Sequence, residues 1–239
     1  MKGKRQRALS FAIILALSAS ALAQANPATI DLAELRVRIE SSLPRTHRSV
    51  PAVIWLDPVP GEPAPPIAPR GRYTLLQKSR TFIPHLQVIP VDSVVQFPNQ
   101  DPFFHNVFSL FDGKRFDLGL YEAGSSKSVT FSRIGVSYIF CNIHPEMSAV
   151  IIAVATPYYA IASRNGAFLL RSILPGDYTL HVWIEGVPQS QLDHLIRPVH
   201  LPAHAVDLGV IQAPIPPAAG LKHENMYGNT YAPEKQSPY

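Results

Sequence analysis

Three side chains that could do metal chemistry sit within seven residues of this sequence. The stretch reads Phe140-Cys141-Asn142-Ile143-His144-Pro145-Glu146-Met147, with the spacing Cys-x2-His-x2-Met. A thiolate, an imidazole and a thioether are soft or borderline donors, which suit copper in either oxidation state. Calcium or magnesium would ask for oxygen ligands. Zinc would accept the first two donors and has little use for the third. Trigonal His2Cys coordination needs a second imidazole from elsewhere in the chain. His105 is the best candidate, in Asp101-Pro102-Phe103-Phe104-His105-Asn106-Val107-Phe108. Aromatic neighbours there would keep water away and hold the ring still. Asn106 is expected to hydrogen-bond across to the Cys141 loop and fix the spacing of the two ligand segments.

Cys141 is the only cysteine of the 239 residues. Taken alone it reads as a buried inert thiol, the usual state of a free cysteine. With His105, His144 and Met147 around it, a metal site becomes the better reading. A Cys–His nucleophile lacks a third group to orient the base and lacks an oxyanion site. The four-donor set is complete without His85, which reads as an ordinary histidine. His194, His200, His204 and His223 are too loosely spaced for a compelling second metal site. Phe103, Phe104 and Phe108 read as core, as do Trp55 and Trp183. Glu122 and Glu146 read as solvated.

The elements that must position these donors look like strands. Prolines number 24, and short apolar stretches rich in Val, Ile, Phe and Tyr end at turn residues about every ten residues. The fold class expected is therefore all-β, sandwich or barrel. Leu32–Ile39 fits either a helix or a first strand. Ala52–Leu56 reads as a buried strand, and the six prolines of residues 58–70 as an extended loop. Thr81–Val91 carries Pro84 and Pro90, so an edge or broken strand is expected. Further strands are predicted at Ser93–Phe97, Asn106–Leu110, Lys127–Phe131, Val136–Cys141 and Ala149–Val154. Asp112-Gly113 is a turn signal. Cys141 thus ends an apolar strand, and Pro145 prevents a continuous helix through His144. Beyond Thr156-Pro157 come strands at Tyr158–Ala162, Ala167–Leu170 and Tyr178–Ile184, and one more at Ala205–Ile211. Residues 212–239 read as an irregular tail.

The chain carries 21 Lys and Arg against 17 Asp and Glu, but four of the basic residues lie in residues 1–23. That segment has Lys2, Lys4, Arg5 and Arg7, then an apolar run from Ala8, closing on Ala21-Leu22-Ala23. This is the three-part pattern of a secretory signal peptide, cut near Ala23. The remaining chain has 17 charges of each sign. Zero net charge gives no argument for a nucleic-acid partner. The apolar run is short for a membrane span, so no stable membrane insertion is expected after cleavage.

Phe104-His105-Asn106-Val107, followed by Cys141-Asn142-Ile143-His144-Pro145-Glu146-Met147, resembles the cupredoxin family over residues 72–155. The loop length is that of the amicyanins; plastocyanin-like loops carry two more residues before Met. The resemblance implies a Greek-key β-sandwich and a single type 1 blue-copper ion on His105, Cys141, His144 and Met147. It further implies a non-enzymatic electron carrier serving periplasmic redox proteins, with His144 near an apolar surface. A weaker resemblance covers Ser163-Arg164-Asn165-Gly166-Ala167-Phe168 and Leu174-Pro175-Gly176-Asp177-Tyr178-Thr179-Leu180-His181-Val182-Trp183. These are similar to the carboxypeptidase-regulatory-like, transthyretin-like sandwich. On this reading residues 30–60 and 156–211 form one small sandwich with the cupredoxin inserted between, a composite labelled methylamine-utilisation-like. Two rival functions use other chemistry: a copper carrier or storage protein with the same ligands, and a metal-free interaction module.

Overall fold

In a computed structural model the described residues are 31–41, 50–63, 65–67, 69, 71–110 and 113–214. The signal-peptide segment, Asp112, His223 and nearly all of the expected tail lie outside them. The described chain is nearly all strand, as the short apolar stretches require.

Strands β1 (Ala33–Ser41) and β2 (Ala52–Pro58) come first, so the ambiguous start is a strand. Short strands β3 (Tyr73–Thr74), β4 (Leu76–Lys78) and β5 (Thr81–Ile83) follow. Then come β6 (Leu86–Pro90), β7 (Ser93–Pro98), β8 (His105–Ser109) and β9 (Phe116–Tyr121). Next are β10 (Ser126–Phe131), β11 (Gly135–Phe140) and β12 (Ser148–Val154). The last third holds β13 (Tyr159–Ile161), β14 (Ala167–Ile173) and β15 (Gly176–Ile184). A short helix, Gln189–Leu192, precedes β16 (Arg197–Leu201) and β17 (Ala205–Ala213). The expected break in Thr81–Val91 falls at Pro84 and His85, and the resulting β6 is an edge strand. There Pro90 interrupts no central ladder. β17 runs to Ala213, two residues beyond the pattern that suggested it.

Four larger sheets result. β10-β7-β3 faces the five-stranded sheet β6-β12-β11-β8-β9 across a core of Val95, Phe97, Phe131, Val107, Ile139 and Ile151. Cys141 and Met147 belong to that same core. The sheets β14-β1-β17 and β13-β2-β15-β16 enclose a second core, with Leu35, Ile54, Leu180 and Phe168.

β12 joins the two cores. Ala149, Ile151 and Ala153 enter the first, while Val150, Ile152 and Val154 enter the second. A strand buried on both faces cannot alternate in polarity, and Ser148-Ala149-Val150-Ile151-Ile152-Ala153-Val154 does not. Trp183 of β15 adds a polar tie, its Nε1 donating to the Tyr138 hydroxyl of β11 at 3.3 Å.

Candidate metal centre

β8 and β11 are antiparallel neighbours, with Phe108 opposite Phe140. The start of β8 therefore meets the end of β11. Side chains alternate across a strand with period two. Since Phe108 and Phe140 share one face, Val107 and Cys141 share the other. His105, two residues before Val107, points the same way. The register of this one pair thus brings His105 and Cys141 together from 36 residues apart.

The loop after β11 brings the third donor. Met147 N–H donates to the His144 carbonyl at 3.0 Å, closing a turn with Pro145 at its second position. Proline fixes φ for that position in advance. Cys141 N–H donates to the Met147 carbonyl at 3.3 Å and closes the loop.

Cys141 Sγ lies 3.7 Å from His105 Nδ1 and 3.6 Å from His144 Nδ1. The three donor atoms all fall within 4.8 Å of one another, and this is the one such His, Cys and carboxylate group among the described residues. The separations can be tested against a shared metal. With about 2.3 Å to sulfur and about 2.05 Å to nitrogen, a tetrahedral angle gives about 3.6 Å and a trigonal one about 3.8 Å. The observed distances lie in that range, so the donors fit a small metal ion held in common.

Cys141, His105 and Met147 are fully buried, and His144 is partly exposed. Burial of His144 and the nearby His105 pull its pKa below the usual 6.5, against an opposing pull from Glu146. A lowered value keeps the imidazole neutral and able to bind metal at neutral pH.

Asp101 received no role from the sequence, and it holds His105. Its Oδ2 lies 2.9 Å from His105 Nε2, leaving Nδ1 to face the sulfur. Asp101 also accepts from Ser79 N–H at 2.6 Å and Arg80 N–H at 3.0 Å. Burial pushes its carboxyl up, but the bonds from Arg80, His105 and Ser79 outweigh this and leave it below the ordinary range. A carboxylate behind a ligating histidine fixes the tautomer and ring orientation. The available signal was an acid four residues before the histidine, in the same short stretch.

Phe103 was read as core and is instead a wall of the site. Its ring centroid lies 5.2 Å from that of His105 and 5.4 Å from that of His144. Phe104, also read as core, and Ile143 are exposed apolar residues next in sequence to His105 and His144.

The expected bond from Asn106 to the Cys141 loop is replaced by another. Its amide donates to Asp117 Oδ1 at 2.7 Å, across the bulge where β9 shifts register, and its Oδ1 is buried without a partner. His85 stands apart from the donor cluster and pairs with Glu185. His200 pairs with Asp177 at 2.7 Å. The described C-terminal histidines form no metal-ligating group. Glu122 and Glu146 are exposed as expected. Trp183 is a core residue, whereas Trp55 is only partly buried and stacks on His181 at 5.0 Å.

No protein-family model matches the chain, and no curated protein matches it. Among solved structures, a purple cupredoxin from Nitrosopumilus maritimus is similar over 34% of this chain and 99% of its own, at 21% identity and a TM-score of 0.31. A Cu-containing nitrite reductase from Thermus scotoductus is similar over 41% of this chain and 28% of its own, at 25% identity and a TM-score of 0.33. A reduced Cu(I) form of an amicyanin variant is similar over 36% of this chain and 86% of its own, at 18% identity and a TM-score of 0.33.

Proposed function

We propose that this chain is a periplasmic type 1 copper protein that carries single electrons between redox partners and catalyses no reaction itself. The observation that carries the reading is Cys141 Sγ, 3.6 and 3.7 Å from two imidazole Nδ1 atoms. Their separations suit a trigonal or tetrahedral centre. His105, Cys141 and His144 would hold the ion, and Met147, buried in the same core as Cys141, would be a weaker fourth donor. Bound there, copper would supply one-electron exchange between Cu(II) and Cu(I).

The chain's own residues do the rest. Asp101 fixes the His105 ring through Nε2, so the donor need not turn when the site's charge changes. The loop bonds between Cys141, His144 and Met147 fix the other donors. Phe103 packs against both imidazoles and shields that side of them from water. His144, the partly exposed member of the donor set, is the side chain nearest to a docking partner on this reading, and the exposed Phe104 and Ile143 would add apolar surface.

We assign residues 72–155 to the cupredoxin unit, and residues 30–60 with 156–211 to a carboxypeptidase-regulatory-like sandwich that supports it. This is the composite arrangement of methylamine-utilisation-like proteins, and no substrate follows from it. A segment ending near Ala23 would direct export. The test is redox titration of the copper-loaded chain. Reversible one-electron cycling with an intense visible band supports electron carriage. A colourless protein that takes up Cu(I) alone favours a copper carrier, and no stoichiometric copper leaves a metal-free interaction module.

A further inference from the structure

The hairpin between β4 and β5 carries an unusual turn. Ser79 and Arg80, neither of them glycine, both have φ of +54°. Left-handed backbone is unfavourable at such residues and persists where the surroundings hold it. What holds it here is Asp101, whose two carboxylate oxygens accept the Ser79 and Arg80 N–H groups. The same carboxylate meets His105 Nε2. The turn is thus fastened directly to the residue that orients a proposed ligand.

This fastening also places a charge. The Arg80 guanidinium carbon lies 5.4 Å from the centre of the Phe103 ring, the ring that contacts both His105 and His144. Arg80 is partly buried, and no salt bridge joins it to a carboxylate among the described residues. Arginine remains charged at any pH the protein meets. A cation over an aromatic face gains from the ring's quadrupole, which helps hold it in place. Its field, only partly screened by solvent, reaches the donor cluster.

We propose that Arg80 is a charge-tuning residue of the metal centre, favouring the lower oxidation state of the bound ion. The inference rests on the copper reading above. The physical sense is fixed by Coulomb's law: a neighbouring positive charge disfavours the more positive ion. Arg80 touches no donor atom. It acts across Phe103, from a position the strained turn and Asp101 determine.

The test compares copper-loaded wild-type full-length chain with R80K, R80Q and R80M. The last retains an apolar stem over the ring without the charge. The readouts are the reduction potential and the Cu(I) and Cu(II) dissociation constants. R80Q and R80M are expected to lower the potential, with the preference for Cu(I) over Cu(II) falling about three- to tenfold. R80K is expected to stay within about twofold of wild type, because it keeps the charge. The difference between wild type and R80Q should shrink as salt is raised. An unchanged potential in R80Q and R80M, with the visible band retained, overturns the tuning role and leaves the copper reading standing. Equal shifts in R80K and R80Q overturn it in favour of packing alone. Failure of both neutral variants to fold also overturns it, leaving a structural role. Wild-type protein that binds no copper overturns both inferences.

Discussion

His85 Nε2 lies 2.5 Å from Glu185 Oε1, while His85 Nδ1 lies 3.0 Å from the Ser148 carbonyl. Both ring nitrogens therefore face acceptors. A neutral imidazole has one donor only, so the geometry calls for the doubly protonated ring. His85 precedes β6 and Ser148 follows Met147, whereas Glu185 follows β15. The pair thus ties the end of the ligand loop to the four-stranded sheet.

The pH dependence follows from this pair. The Glu185 hydrogen bond, opposed by burial, raises the His85 pKa above 6.5. A raised folded value means that its stabilisation is fully present below pH 6.5. It is lost as pH rises through the folded value. The His85 side chain is 43% exposed, so solvent limits the contribution to at most about 1 kcal/mol. Glu185→Gln should destabilise the chain more at about pH 5.5 than at about pH 8.5. Denaturant unfolding at the two pH values checks this; a larger cost at high pH would reverse the assignment.

Asp101→Asn keeps one acceptor oxygen, enough for only one of the Ser79 and Arg80 N–H groups, and removes the charge behind His105. Copper affinity should fall about 10- to 100-fold. Competition with a chelator of known affinity measures it. Wild-type affinity in the variant would show that the loop alone orients the site.

Ile151 and Ile152 are sequence neighbours in different cores. Truncating either to Ala should cost about 2–5 kcal/mol, because each is fully buried. Only Ile151→Ala opens space in the core that holds Cys141 and Met147. It should weaken copper binding or shift the visible band, while Ile152→Ala should leave both. Parallel denaturation and spectral titrations separate the two effects.

Much of the strand order was legible because apolar runs ended at turn residues. The proposed ligand loop was legible for a simpler reason, since Cys141, His144 and Met147 lie within seven residues of one another. His105 needed a strand pairing that no local pattern announces. β9 was missed although Phe116, Leu118 and Leu120 alternate as a strand should, because Gly119, with φ of +62° at the bulge, reads locally as a turn residue. The β4–β5 hairpin was missed because its turn uses Ser79 and Arg80 where Asn or Gly would be the usual signal. The use of both faces of β12 was hidden too. A continuous apolar run states that a strand is buried without stating against what.

Gly166 illustrates a constraint that its position makes explicit. Its φ is +75°, and an added Cβ would lie 2.3 Å from the Ile39 carbonyl oxygen. That contact is with backbone, and Gly166 O also accepts from Ile39 N–H at 2.9 Å. Gly166→Ala should therefore cost at least about 2 kcal/mol, from strained backbone and a displaced β1. A denaturation midpoint equal to wild type would contradict this packing of β1.

The metal centre itself is tested most directly by titrating Cu(II) into the metal-free chain while recording the visible spectrum, with Cys141→Ser beside it. Expected is one intense thiolate-to-copper band saturating at one copper per chain in wild type, and no such band in the variant. A band of equal intensity in Cys141→Ser, or no copper bound by wild type, would contradict a site built on Cys141, His105 and His144.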